Sequence, residues 1–111
     1  MTTLDPNDNY VTLINTFQVK PERAEELAEL LHHASEVMST LPGFVSANLH
    51  ISEDKTRVVN YAQWRAKTYL EAMYRNPEAQ PHMKSAADLA ESYDPVLYTL
   101  RFSDGASGAA Q

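Results

Sequence analysis

Residues 44–64 read FVSANLHISEDKTRVVNYAQW, and this stretch decides the fold. Two runs rich in β-branched and aromatic side chains, Phe44 to Ile51 and Arg57 to Trp64, flank the polar turn Glu53-Asp54-Lys55. Such a pattern is a β-hairpin. Alternation puts Val45, Ala47, Leu49 and Ile51 on one face of the first strand, and Phe44, Ser46, Asn48 and His50 on the other. In the second strand Val58, Asn60, Ala62 and Trp64 share a face opposite Val59, Tyr61 and Gln63.

Towards the N-terminus, Pro42-Gly43 stops a helix whose apolar residues Leu27, Leu30, Leu31, Ala34, Val37, Met38 and Leu41 recur at helical steps. Lys20-Pro21-Glu22 opens it, with proline and an acid suited to the first turn. Before it, Tyr10 to Val19 alternates as a strand, with Val11, Leu13, Phe17 and Val19 on one face and Asn15 among them. Residues 1–9 read as a loose arm. Beyond the hairpin, residues 67–76 and 78–90 read as helical pieces parted by Asn76-Pro77, and Pro95 to Phe102 as the last strand. The small polar tail, 103–111, is expected to be disordered.

The order β-α-β-β-α-β is the split βαβ pattern of a ferredoxin-like α+β domain over residues 10–102. Helices cover one sheet face, and the other needs cover too, because a face such as Val58/Ala62/Trp64 is too apolar to leave wet. A second copy is the simplest cover, so the expectation is a homodimer closing a dimeric α+β barrel.

Composition narrows the partners. A net charge of −6 at pH 7 disfavours nucleic acid. Apolar runs are too short to span a bilayer, and the first residues carry no secretory signal pattern. With no cysteine, disulfides, thiolate metal sites and thiol nucleophiles are excluded. Gly43 is the only glycine before residue 100, so no glycine-rich phosphate cradle exists. A cytoplasmic protein binding neither membrane nor nucleic acid fits best.

Asn60 and Trp64 lie on one face of their strand, about 13 Å apart at 3.3 Å per residue. A carboxamide on an apolar inward face is costly unless paired. Its bland reading is an amide satisfied by a neighbour, beside a core tryptophan; its functional reading is a ligand contact.

The run LPGFVSANLHISEDKTRVVNYAQW, from Leu41 to Trp64, resembles the antibiotic biosynthesis monooxygenase family, and above all its quinone-forming members from aromatic polyketide pathways. The Pro-Gly-Phe, His50 and the Asn-Tyr-Ala-Gln-Trp string carry the likeness, which continues more weakly over about residues 10–102. Pro81-His82-Met83-Lys84 is similar to a stretch of the quinol monooxygenase branch. The resemblance implies a dimeric barrel that oxidises a polycyclic phenol, typically an anthrone, to a quinone with O2 as co-substrate and with neither metal nor organic cofactor.

It also implies roles. Asn60 would hydrogen-bond the carbonyl or enolate oxygen, the Trp64 N–H would donate to a peroxide, and His82 would accept a proton, since imidazoles ordinarily titrate near neutrality. His50 matches a substrate-cavity position. Leu70 stands where that branch has a tyrosine, with Tyr69 adjacent, and Met83 where it has an arginine, with Lys84 beside it. Asn15 and His82 match two positions of a haem-degrading branch, but Met73 replaces that branch's tryptophan. His32 and His33 are expected at the surface. Two further readings stay open: a non-catalytic or isomerase- or cyclase-type barrel binding a small hydrophobic molecule, and haem degradation.

Overall fold

At the tip of the central hairpin, the Asp54 carboxylate accepts hydrogen bonds from the Ser52 hydroxyl at 2.8 Å, the Thr56 hydroxyl at 2.7 Å and the Thr56 backbone N–H at 3.0 Å. These bonds, the Thr56 hydroxyl foremost, lower its pKa to about 2. Lys55 takes the left-handed conformation that closes the turn, with φ of 62°. The turn is therefore held by hydrogen bonds within its own few residues.

The computed structural model describes residues 2–107. Its elements run β1 Val11–Gln18, α1 Ala24–Met38, β2 Phe44–Ile51, β3 Arg57–Trp64, α2 Lys67–Tyr74, α3 Gln80–Leu89 and β4 Ser92–Thr99. The four strands form one antiparallel sheet in the order β2-β3-β1-β4. The ferredoxin-like α+β architecture expected from the sequence is thus the one observed.

Boundaries differ in informative places. The first helix opens as a 3-10 turn at Pro21–Arg23 before the α-helix begins. It ends at Met38, where the Ser39 and Thr40 hydroxyls donate to the Glu36 and Val37 carbonyls. Gly43, with φ of 83°, then turns the chain into β2. The last strand starts at Ser92 and stops at Thr99, not at Phe102. Thr99 pairs with Val11, the first residue of β1, and among the described residues no partner strand extends beyond it. Pro95 is tolerated inside β4 because β4 is an edge strand.

Two clusters make the core. Phe17, Val19, Leu27, Leu31, Val58 and Ala86 join β1 and β3 to α1 and α3. Leu13, Ala62, Trp64, Leu70, Met73 and Ala79 join the other end of the sheet to α2 and the turn before α3. The face carrying Val58, Ala62 and Trp64 is therefore covered by this chain's own helices, correcting the expectation that it needs a second sheet. Strand register assigns the opposite face to Ile14 and Thr16 of β1, Val59 and Tyr61 of β3 and Val96 and Tyr98 of β4. At the other side of that face, the N-terminal arm is tied down: Asn48 donates to the Thr2 hydroxyl at 2.5 Å and Gln63 to the Thr3 carbonyl at 2.9 Å.

One correction concerns β2. The register shifts between Phe44 and Ser46, so Phe44 pairs with Trp64 and Ala47 with Ala62. The irregularity moves Phe44 to the helix-covered side, off the face it would share with Ser46 by strict alternation. Its ring meets the Trp64 indole edge-on at 5.4 Å.

Candidate active site

Between the sheet and its helices lies a cavity of about 290 Å3, near the lower end of small-ligand pockets. The sheet supplies its floor: Leu13, Asn15 and Phe17 from β1, Asn60, Ala62 and Trp64 from β3, Phe44 and Ala47 from β2. Leu31, Ala34 and Met38 of α1, Met73 and Tyr74 of α2, and His82, Met83 and Ala86 of α3 close it from above. Tyr93 and Pro95 of the exposed edge strand form its rim.

The polar content of the floor is concentrated in two residues. Asn15 and Asn60 are paired across β1 and β3, so their side chains leave the sheet side by side. Each carboxamide oxygen is buried without a hydrogen-bond partner. Leaving an acceptor buried and unsatisfied costs about 1–3 kcal/mol, a cost that structural packing alone would have removed by substitution. The Trp64 side chain, only 1% exposed, lies on the same floor. A ligand polar at its centre and apolar around it is what these groups would satisfy.

Tyr74 is 40% exposed, and the partial burial of its phenol raises its pKa, so it remains an O–H donor through the neutral range. Ser35 also reaches the lining, but its hydroxyl is committed to the Leu31 carbonyl at 3.0 Å.

Four of the residues singled out in the sequence therefore meet in one cavity: Asn15, Asn60, Trp64 and His82. The other three lie outside it. His50 is exposed on the far face of the sheet, opposite Val59, because β2 alternation turns it away from the helices. Lys84 is exposed on α3 and pairs with Asp88 at 3.0 Å. The Tyr69 ring packs over Gly43, leaving no room for a β-carbon there: one would fall 2.1 Å from its Cγ. His32 and His33 lie at the surface beside Glu36. Tyr74, Tyr93 and Phe44 line the cavity without having been singled out. Tyr74 was detectable, being one helical turn beyond Leu70 and on its side of α2, whereas Phe44 depends on the β2 irregularity.

A helix-roofed apolar cavity with amides and an indole converging from the floor defines a small-molecule site on an α+β domain. Residues 10–88 match the family model described as antibiotic biosynthesis monooxygenase, and the chain belongs to that family of monooxygenases. It is 38% identical over 108 residues to the tetracenomycin-F1 monooxygenase of Streptomyces glaucescens, covering 96% of each chain. Among solved structures it is similar to a monooxygenase from the gene ActVA-Orf6 of Streptomyces coelicolor in complex with nanaomycin D. That match has a TM-score of 0.83 and 28% identity, over 94% of this chain and 100% of the other. SnoaB, a cofactor-independent oxygenase from Streptomyces nogalater, shares the fold with a TM-score of 0.78 at 24% identity, over 86% of this chain and 96% of its own.

Proposed function

We propose that this protein is a cofactor-independent monooxygenase that oxidises an anthrone-type polycyclic phenol from an aromatic polyketide to a quinone. The observation that carries this reading is the unpartnered Asn15/Asn60 amide pair in an apolar cavity, with the Trp64 N–H on the same floor. The size of the cavity, about 290 Å3, favours a compact aromatic over a haem macrocycle.

The chemistry needs no bound redox group. An anthrone that loses a proton becomes an electron-rich enolate able to give one electron to O2. The resulting radical and superoxide combine into a carbon-bound peroxide. Loss of the remaining proton from that carbon with cleavage of the O–O bond forms the new carbonyl and releases hydroxide, protonated to water. A CH2 group and O2 thus become C=O and H2O. The Asn60 carboxamide N–H would hold the enolate oxygen, and the Trp64 N–H would donate to the peroxide. His82, on the roof, is the cavity's basic side chain and would take the first proton. The apolar walls keep water from the radical pair.

The same reading includes a homodimer. It is supported by the edge strand β4, all of whose residues are exposed: Val96 and Tyr98 on the far face are 36% and 48% exposed, and Tyr93 and Leu97 on the helix-side face 54% and 40%, apolar surface that monomers seldom leave uncovered. No helix among the described residues is long and apolar enough to cross a membrane, and the cysteine-free composition supports a cytoplasmic setting. The test of function is oxygen uptake with an anthrone, using protein free of flavin and treated with chelator. One O2 consumed per quinone formed is expected, and uptake no faster than without protein would overturn the proposal. Sedimentation at micromolar concentration should give twice the 12.5 kDa chain mass.

A further inference from the structure

Three of the chain's four methionines, Met38 of α1, Met73 of α2 and Met83 of α3, line the one cavity. Met73 is 4% exposed and belongs to the same buried cluster as Trp64, and the half-buried Met38 and Met83 pack against that cluster. The thioethers thus gather at the Trp64 end of the cavity from three different helices. Leucine fills nearly the same volume with better-defined rotamers. What methionine adds to this roof is a flexible arm ending in an oxidisable sulfur.

We propose that these methionines, Met73 foremost, are a modification site: they take an oxygen atom from the peroxide formed in the cavity and become sulfoxides during turnover. This inference rests on the function proposed above, which puts a carbon-bound peroxide beside Trp64. A sulfur lone pair attacks the outer oxygen of that hydroperoxide. The S–O bond forms as the O–O bond breaks, and the proton of the outer oxygen moves to the oxygen left on carbon. Sulfur is oxidised by two electrons, the peroxide is reduced to an alcohol, and no further reactant enters. This transfer competes with the productive step, in which the carbon loses its own proton as the O–O bond breaks. Each transfer converts an apolar side chain into a polar, chiral one within an apolar roof. Placing that dipole there is costly and spoils the wall against which the next ring system packs. Activity therefore declines with the number of turnovers completed.

Exposure and proximity predict different orders of modification. Hydrogen peroxide arriving from solvent meets the half-buried Met38 and Met83 first and the buried Met73 last. Peroxide formed inside the cavity meets Met73 without crossing the fold.

The test is peptide mass mapping of the full chain after aerobic turnover of anthrone, with catalase and superoxide dismutase present to clear hydrogen peroxide and superoxide from the solvent. Parallel samples receive air without anthrone, or added hydrogen peroxide without anthrone and without catalase. Met73 sulfoxide should rise in proportion to the quinone formed and stay at background in air alone, whereas added hydrogen peroxide should modify Met38 and Met83 ahead of Met73. Met73→Leu should complete more turnovers than the parent before losing half of its own initial rate. The mapping uses the unmodified chain, so it decides the matter even where the variant folds poorly. Met73 left unmodified after extended turnover, modification in the order of exposure, or a folded Met73→Leu that inactivates at the parent's pace would overturn the proposal. Accelerated quinone formation with Met73 untouched sinks only this inference. Oxygen uptake no faster than without protein sinks the monooxygenase reading and, with its source of peroxide gone, this inference as well.

Discussion

Asn15 and Asn60 face each other across β1 and β3, and the carboxamide oxygen of each is buried with no hydrogen-bond partner. A sequence selected for stability alone would carry valine or threonine at these central strand positions. On the function proposed above, the two amides mark a place where stability is given up for binding and chemistry.

For Asn60 the expected result follows from that trade. Asn60→Val should melt at or above the parent temperature, since an unsatisfied buried acceptor is replaced by a good strand former. Oxidation should slow by about 10²- to 10³-fold, the usual effect of removing one oxyanion donor. Thermal melting and single-turnover rates on the same preparation check both halves. A folded variant with near-parental turnover would remove Asn60 from the mechanism.

Trp64→Phe separates packing from proton donation. The phenyl ring keeps part of the Phe44 contact and deletes the N–H, so stability should drop by roughly 1–3 kcal/mol from imperfect repacking. If the indole donates to a developing peroxide, oxidation of the bound substrate should also slow about ten- to hundredfold with affinity nearly unchanged. Lower melting with unchanged oxidation would make Trp64 a core residue only.

Tyr74 gives a pH prediction with a definite sign. Burial raises its pKa above the ordinary 10.0. The unfolded chain therefore loses this proton first, so the associated stability is intact below pH 10 and is lost as pH rises towards the folded pKa. Ultraviolet titration of the parent minus Tyr74→Phe should show one phenol ionising above pH 10. A difference transition below that value would contradict the partial burial of the Tyr74 phenol.

Gly43 tests the turn that delivers β2 to the floor. Gly43→Ala meets both a positive φ of 83° and the Tyr69 ring. It should destabilise by about 1–3 kcal/mol or more, measured by urea unfolding. Tyr69→Ala on the Gly43→Ala background should recover only the part due to the ring, because the backbone strain and the contact with the residue-69 Cβ, 2.4 Å away, remain. Full recovery would place the whole cost in the side-chain clash.

The hairpin, the strand order and α1 were legible because their signals are local: alternation over Phe44 to Trp64, turn residues at Asp54 and Lys55, and helical spacing from Leu27 to Met38. Asn60 and Trp64 were legible for the same reason, since a period of two residues puts both on one face. The placement of His50 was not. The family likeness suggested the cavity, but the regular alternation from Ser46 to Ile51 puts His50 on the far face, opposite Val59. The end of β4 was equally hidden, because it depends on where β1 begins and not on Leu100 to Phe102 themselves. The choice of Tyr74 over Tyr69 turned on helix phase: Tyr69 lies about 100° from Leu70 and packs on Gly43, whereas Tyr74 reaches the cavity.

On the proposed function, this cavity lets O2 oxidise a bound aromatic without a resident redox group. The most direct test is a stopped-flow single turnover. The anaerobic complex of chelator-treated, flavin-free protein with a hydroxylated anthrone is mixed with oxygenated buffer, and quinone absorbance is followed. Quinone should form far faster than from the free anthrone, at a rate proportional to O2 in the low range, and Asn60→Val should lose that acceleration. A rate equal to free autoxidation, or an acceleration that appears only when flavin or metal is restored, would contradict it.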